Sequence, residues 1–440
     1  MTGSRQQPAT PLRDAAVLVQ GNVIQWVGPS AEQPPLPPGT VEVNLHDHVV
    51  LPGLVNTHHH LYQTLTRAIA QDSELFDWLK TLYPIWCRMN GEAIHISALT
   101  GMAELIMSGC TTASDHLYIY PNDCRIDDEI QAAQEIGLRF HATRGSMSLG
   151  ESKGGLPPDR ATEDEADILK DTQRAIETYH DKSRFAMLRI AVAPCSPFSV
   201  TTDLMRESAA LARHYGVMLH THLAETRDED AFCLARFGKR PLDYAEMVDW
   251  LGHDVWYAHG VFFNTTDIEH MSAQGCGVAH CPSSNMRLAS GIAPIRLMLD
   301  KNMKVGLGVD GSASNDSSHL AAEIRQAMLL QRVQNGSTTF SAYDALWLAT
   351  RGGASVLGRD DIGQIAAGFA ADLIAINLNR LGYAGAMHDP MAALVFCAPS
   401  GVDFSMINGR IIVQEGQLTT LDTGKVIEQH NKMSATLLAG

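Results

Sequence analysis

Eight short apolar, β-rich runs recur along the chain, at 54–60, 109–115, 137–143, 187–194, 217–223, 254–260, 275–281 and 304–310. Between them lie longer stretches with helical spacing of apolar residues, among them Ala93 to Met107, Glu163 to Tyr179, Asp203 to His214 and His319 to Gln334. Strands that alternate with helices build a parallel sheet from βαβ units. Eight such units over roughly 250–300 residues match the span of a (β/α)8 barrel. An open doubly wound sheet would carry a glycine-rich phosphate turn after its first strand. This chain carries histidines there instead, in Asn56-Thr57-His58-His59-His60. The expected fold is therefore α/β, a TIM barrel over residues 51–360.

Outside that span the pattern is all β. Residues 14–27 (DAAVLVQGNVIQWV) read as two strands around Gly21-Asn22, a hairpin signal, and Thr40 to Val50 reads as a further strand pair. Two more β-rich stretches, IGQIAAGFAADLIAINLN and VDFSMINGRIIVQEGQL, follow residue 360. The first 50 residues are too few to fold alone and need a partner from elsewhere in the chain. The expectation is a small discontinuous β-sandwich made of residues 1–50 and 361–440, closing in a helix near 424–438.

The composition excludes several classes of partner. A net charge of −16, from 33 Lys+Arg against 49 Asp+Glu, repels polyphosphate, which sets DNA and RNA aside and leaves a neutral small molecule open. The eight cysteines are scattered without a Cys-x-x-Cys pair, as expected of reduced thiols rather than a disulfide framework. No run of ~18 apolar residues could span a bilayer, and the N-terminal stretch lacks the apolar segment of a secretory signal. A cytoplasmic protein with no membrane partner is expected.

If 54–60 is a strand, His58 and His60 point to one face and His59 to the other. The other expected strands end in His220-Thr221-His222-Leu223-Ala224-Glu225, in His259, in His280-Cys281-Pro282 and in Asp310. A parallel barrel gathers all these ends at one mouth. There His58, His60, His222 and Asp310 offer three nitrogens and a carboxylate, a set suited to Zn²⁺ with one position left for water. Any one of them alone reads as a structural histidine or a turn aspartate; four at the required ends point to a metal site. His59 and His220 read as structural, and His280 as shaping the pocket. Two long connections, His60 to Asn90 with Trp78, Tyr83 and Trp86, and Arg144 to Asp159, are placed at the same mouth as walls or lids.

The motifs PGLVNTHHH, SGCTT, HTHLAET, AHG, HCPSSNMRLASG, GLGVDG and IGQIAAGFAADL run through nearly the whole chain in that order. In these the chain resembles the amidohydrolase superfamily, in its branch of cytosine deaminases, guanine deaminases and triazine hydrolases. The resemblance implies a metal held by His58, His60, His222 and Asp310, with acid/base work by Glu225 and His259. No lysine stands on the fourth strand, where PCSP is found, so the implied site holds one divalent ion per chain: zinc, with iron as the alternative. Such an ion lowers the pKa of bound water toward ~7, supplying hydroxide. Asp310 can take the proton of that water, His259 can stabilise the developing charge, and Glu225 can protonate a ring nitrogen. Ammonia then leaves, which makes the expected enzyme a hydrolase of C–N bonds in cyclic amidines.

Gln63 stands where guanine deaminases place a glutamine that binds the purine, so Gln63 and Glu225 are the expected substrate contacts. Trp86 and Arg287 are outer candidates. YQTLTRA, WLKTLYPIW, TRGSMSLG, GGLPPD, APCSPFSV and CPSSNMRLASGI resemble members that deaminate 8-oxoguanine. The implied reaction converts 8-oxoguanine and water to uric acid and ammonia, a step of purine metabolism on a free base. Isoxanthopterin deamination and triazine amino- or chlorohydrolysis are the alternatives, and homo-oligomerisation is left open.

Overall fold

The computed structural model describes residues 11–440 and, before them, the short strands Gly3–Ser4 and Gln7–Pro8. Residues 1, 2, 5, 6, 9 and 10 of the expected 1–50 segment lie outside the described residues. The hairpin at Gly21-Asn22 forms from β1 (Ala15–Gln20) and β2 (Val23–Pro29), paired antiparallel. The expected strand pair between Thr40 and Val50 is a single strand, β3 (His48–Pro52). Residues 40–47 form no strand, with Val41 82% and Val43 42% exposed. An alternating sequence becomes a strand only where a neighbouring strand takes up its amides and carbonyls, and 40–47 meets none.

Eight parallel strands close the barrel in the order β4 (Leu54–Asn56), β5 (Cys110–Leu117), β6 (Arg139–Ser146), β7 (Leu188–Pro194), β8 (Met218–Leu223), β9 (Val255–His259), β10 (Gly277–His280) and β11 (Lys304–Leu307). The ring shuts where Leu307 pairs with Asn56. All eight expected runs are present. The first strand stops at Asn56 rather than His60. Beyond it the chain stays tied to both neighbours by scattered bonds: Val309 N to Asn56 Oδ1 at 2.9 Å, His116 N to the His59 carbonyl at 2.8 Å and Asp310 N to the His58 carbonyl at 3.1 Å.

The long connection after β4 folds into a short 3-10 turn, Leu61–Thr66, and the helix Leu75–Trp86. That helix buries Leu75, Trp78, Leu79, Leu82, Tyr83 and Trp86. Their spacing of three and four residues makes one apolar stripe, which lies across the barrel mouth. Trp78 Nε1 donates to the Ala313 carbonyl at 3.0 Å, tying the helix to the loop after β11.

The small antiparallel sheet runs in the order Gln417–Leu418, Arg410–Gln414, Phe404–Ile407, Leu373–Asn377, β3. The hairpin β1–β2 docks through Ile24 N to the Phe369 carbonyl at 2.9 Å and Ala371 N to the Asn22 carbonyl at 2.9 Å. Ile24, Ile365, Ala371 and Leu373 form the apolar cluster between the two layers. The terminal helix Thr423–Ala439 leaves this sheet and packs on the barrel, with His430 Nε2 3.1 Å from Thr64 Oγ1 and Ser434 Oγ donating to the Leu65 carbonyl at 2.7 Å. All eight cysteines are free thiols. Among the described residues no helix is long and apolar enough to cross a membrane.

One buried ion pair fastens the small sheet to the barrel. Arg139, at the start of β6, donates Nε to Asp372 Oδ2 and Nη2 to Asp372 Oδ1, both at 3.0 Å. Asn408 N also donates to Asp372 Oδ1, at 2.7 Å, and Arg139 Nη1 reaches the Phe185 and Ala186 carbonyls. Removing one partner of a buried pair strands the other charge, at about 3–5 kcal/mol. Asp372→Ala is therefore expected to lower stability by about 3–5 kcal/mol in urea titrations, with Arg139→Met/Asp372→Ala less damaged than the single variant.

Candidate metal centre and active site

Three imidazoles at the mouth have their protonation set by backbone carbonyls. His60 Nδ1 donates to the His116 carbonyl at 2.7 Å, and His222 Nδ1 to the Cys195 carbonyl at 2.7 Å. A carbonyl only accepts, so both Nδ1 atoms carry hydrogen and both Nε2 atoms present a lone pair. Those two Nε2 atoms lie 3.1 Å apart. His220 Nδ1 donates to the Trp256 carbonyl at 3.0 Å, which leaves His220 Nε2 to accept from His58 Nδ1 at 2.8 Å. His58 Nε2 is thus bare as well, 3.2 Å from Asp310 Oδ1, an oxygen that also lies 3.3 Å from His60 Nε2. Burial, the largest influence on each, holds His58, His60 and His222 below the ordinary imidazole range and keeps them neutral.

Three lone pairs and a carboxylate oxygen therefore face one another with no hydrogen among them. His58 Nε2 has no hydrogen-bond partner. Such a cluster is self-repelling, and imidazole nitrogens beside a carboxylate oxygen are a donor set that suits a divalent ion. The donor atoms of His58, His60, His116 and His222 lie within 4.8 Å of one another, as do those of His58, His259 and Asp310.

Beside this centre, Glu225 Oε2 approaches His259 Nε2 at 3.5 Å, and His259 Nδ1 meets Asn285 Oδ1 at 2.9 Å. Burial pushes the Glu225 carboxyl up to about 7; His259 pulls it down, and Asp310 and Glu229 push it further up. Burial lowers His259, but Glu225, Asp310, the Asn285 hydrogen bond and Glu229 act the other way and leave it raised. His259 and Asp310 both sit in the left-handed backbone region, at φ of 71° and 64°. Non-glycine residues seldom adopt it, and such strain gathers at functional sites.

A chamber opens above this centre. Leu75, Trp78, Leu79 and Tyr83 of the mouth helix wall it, with Tyr118, Phe198 and Leu288 completing the apolar side. His60, His222, Glu225, His259, Asp310, Ser314, Cys195 and Gln63 supply its polar side. Gln63 Oε1 is buried without a hydrogen-bond partner, while its Nε2 lies 3.4 Å from Tyr62 Oη. A β-carbon on Gly311 would sit 1.8 Å from Gln63 Oε1, so only glycine there lets this amide take its place.

The expected residues divide cleanly. His58, His60, His222, Asp310, Glu225, His259 and Gln63 are brought to one mouth. His59 turns away to Ser318 Oγ at 2.9 Å, and His220 braces His58. His280 does not line the chamber; both its ring nitrogens are buried without partners, and burial drives its pKa down to about 3. Trp86 lies behind the wall, bonded to Thr66 Oγ1 at 3.0 Å, and Arg287 is held by Asp316 at 2.6 Å. The 144–159 connection does not line the chamber but shores it up, with Leu156 N donating to the Phe198 carbonyl at 3.1 Å.

His116 is a further histidine of the site. The expected run ended at Asp115, one residue short of it. Its ring stacks on His222 at 4.9 Å, and its Nε2 donates to the Ala193 carbonyl at 2.8 Å. A histidine directly after SD at a strand end was the available signal.

The sequence bears out what this barrel mouth suggests: the chain belongs to the amidohydrolase family, whose profile matches residues 49–412. It is 47% identical to an 8-oxoguanine deaminase of Pseudomonas aeruginosa over 428 residues, covering 96% of this chain and 95% of that protein. It is 34% identical to an isoxanthopterin deaminase of an unknown prokaryote, covering 94% of this chain and 91% of the relative. Among solved structures, an atrazine chlorohydrolase from Arthrobacter aurescens complexed with zinc superposes with a TM-score of 0.90 at 32% identity, covering 96% of each chain.

The Gly311 contact yields a direct check. Gly311→Ala is expected to displace the Gln63 amide and weaken binding of a ligand that pairs with it by about tenfold or more, the scale of a buried polar group left unsatisfied. Bound metal per chain is expected to stay unchanged, which separates loss of the Gln63 contact from damage to the centre.

Proposed function

We propose that this protein is a metal-dependent hydrolytic deaminase of a small aminated heterocycle, acting on 8-oxoguanine and water to give uric acid and ammonia. The observation that carries this reading is the cluster of bare imidazole nitrogens facing Asp310, with Glu225 and the unpaired Gln63 oxygen opening on the same chamber. The 47% identity to a protein named 8-oxoguanine deaminase supports the substrate. Residues 51–360 would be the catalytic unit, with 1–50 and 361–440 as its companion.

His58, His60, His222 and Asp310 would hold one divalent ion, zinc or alternatively iron. Such an ion would supply Lewis acidity for activating water near neutral pH. Asp310 Oδ2, 3.3 Å from Ser314 Oγ and 3.9 Å from His259 Nε2, accepts the proton released from the water. Glu225, whose burial keeps a proton available near neutrality, donates to the ring nitrogen beside the amine-bearing carbon and so makes that carbon electrophilic. His259 Nε2 stabilises the negative charge that develops as the carbon turns tetrahedral; the proton held by Asp310 then passes to the amine, the C–N bond breaks to release ammonia, and the remaining hydroxyl proton returns to Glu225. Gln63 accepts and donates along the edge of the base, and Trp78, Leu79 and Phe198 cover its faces and keep bulk water out.

Metal retention tests the ligand set. His60→Ala and His222→Ala are each expected to lower bound metal per chain and to abolish turnover. Full occupancy with a normal rate in either variant would take that residue out of the centre.

A substrate panel tests the rest. An oxygen on C8 places a hydrogen on N7, so the edge that accepts in guanine donates in 8-oxoguanine. A chamber built to accept from that hydrogen leaves a polar group unpaired when guanine binds, and kcat/KM for guanine should fall by about tenfold or more. Uric acid formation is followed by absorbance, beside ammonia release from guanine, isoxanthopterin and aminated triazines. A higher kcat/KM for any of these replaces 8-oxoguanine as the substrate; release of chloride without ammonia from a chlorotriazine replaces deamination itself.

A further inference from the structure

We propose that Glu229 is a positioning residue, whose carboxylate clamps the left-handed turn at Ala224 and so fixes the angle at which Glu225 enters the chamber. β8 ends at Leu223, and Glu225 follows only two residues later. Between them the backbone reverses at Ala224, with φ of 55°. A residue with a β-carbon seldom adopts that conformation unless its surroundings impose it.

Glu229 imposes it. Its Oε1 accepts from Ala224 N at 2.9 Å and its Oε2 from Glu225 N at 2.9 Å. Both oxygens of one buried carboxylate thus hold two consecutive amides, which cannot turn independently. Thr226-Arg227-Asp228-Glu229 has the form of a capping box, in which the glutamate would reach back to the amide of the capping residue. Thr226 does cap the helix Arg227–Phe237, accepting from Glu229 N at 3.3 Å. The Glu229 side chain passes the Thr226 amide and takes the two before it. A glutamate needed only to start the helix would have no reason to reach so far. Glu229 is also fully buried, where an unpaired carboxylate is costly, so its two amide partners are what keep it there.

The inference rests on Glu225 being the proton donor of the preceding section, and Glu225→Gln is the control for that. Glu225→Gln is expected to keep its metal and lose roughly 10²–10⁴ in kcat. A normal kcat in that variant sinks the deamination scheme and leaves Glu229 without a residue to position.

Glu229→Gln keeps the volume but turns an NH₂ group toward one of the two amides, which it cannot accept from. The expected result is a fall in kcat of about 10²-fold, the scale of an ångström's misplacement, with KM changed less than about threefold. Metal per chain is expected to stay as in the unaltered protein, while amide hydrogen exchange quickens at Ala224 and Glu225. Adding Ala224→Gly, which makes the left-handed turn free of steric cost, should recover about tenfold or more of the lost kcat. Glu229→Asp, which keeps the charge but reaches only one amide, is expected to fall between and serves if Glu229→Gln does not fold. A kcat within about threefold of normal in soluble Glu229→Asp and Glu229→Gln, metal lost in step with activity, or no recovery on adding Ala224→Gly would each overturn the proposal.

Discussion

The mouth of this barrel is organised by the direction in which a few imidazole N–H bonds point. Carbonyls of His116, Cys195 and Trp256 take the hydrogens of His60, His222 and His220, and His220 passes the effect on to His58. Each of these carbonyls belongs to a different strand or strand end, so the tautomers are set by the closure of the barrel itself. The consequence is a cluster of lone pairs beside a carboxylate, buried where water cannot soften the repulsion. A donor set of this kind is attractive toward a divalent cation.

The parallel barrel makes such convergence inexpensive in chain terms. Every strand delivers its last residues to the same rim, so residues from 58 to 310 meet there without a long detour. At the rim Ala224, His259 and Asp310 all take positive φ. Each is held by bonds from outside its own strand: Glu229 on the Ala224 amide, Asn285 on His259, and the His58 carbonyl on the Asp310 amide. The barrel below is regular and packed, and can carry this local cost.

The mouth helix Leu75–Trp86 supplies the apolar half of the chamber, and it is fixed from both sides. Trp78 reaches the Ala313 carbonyl after β11, and Trp86 anchors behind it on Thr66. One helix therefore ties the loop after the first barrel strand to the loop after the last. Across the chamber, the 144–159 segment buttresses Phe198 without touching the space itself. The same geometry that closes the ring also encloses the chamber.

Much of this was legible in the chain before any coordinates. Eight β-rich runs alternating with helical periodicity allow little besides a barrel, because a period of two and a period of 3.6 report local backbone geometry directly. His58, His60, His222, Glu225, His259 and Asp310 could be picked out because strand ends in a parallel barrel share one rim. Tertiary structure decided the rest. Thr40 to Leu45 alternates like a strand, yet no neighbouring edge accepts it. Trp78 rather than Trp86 faces the chamber, because Trp86, about two helical turns further on, ends behind the wall on Thr66. His116 joined the site, and Glu229 reached past its own helix cap, through contacts between segments that local pattern does not encode. The proton positions on the histidines depend on carbonyls up to 36 residues away along the chain, or 56 for His60. Local sequence selects residue type and backbone period; only the closed ring brings the distant carbonyls that aim each nitrogen.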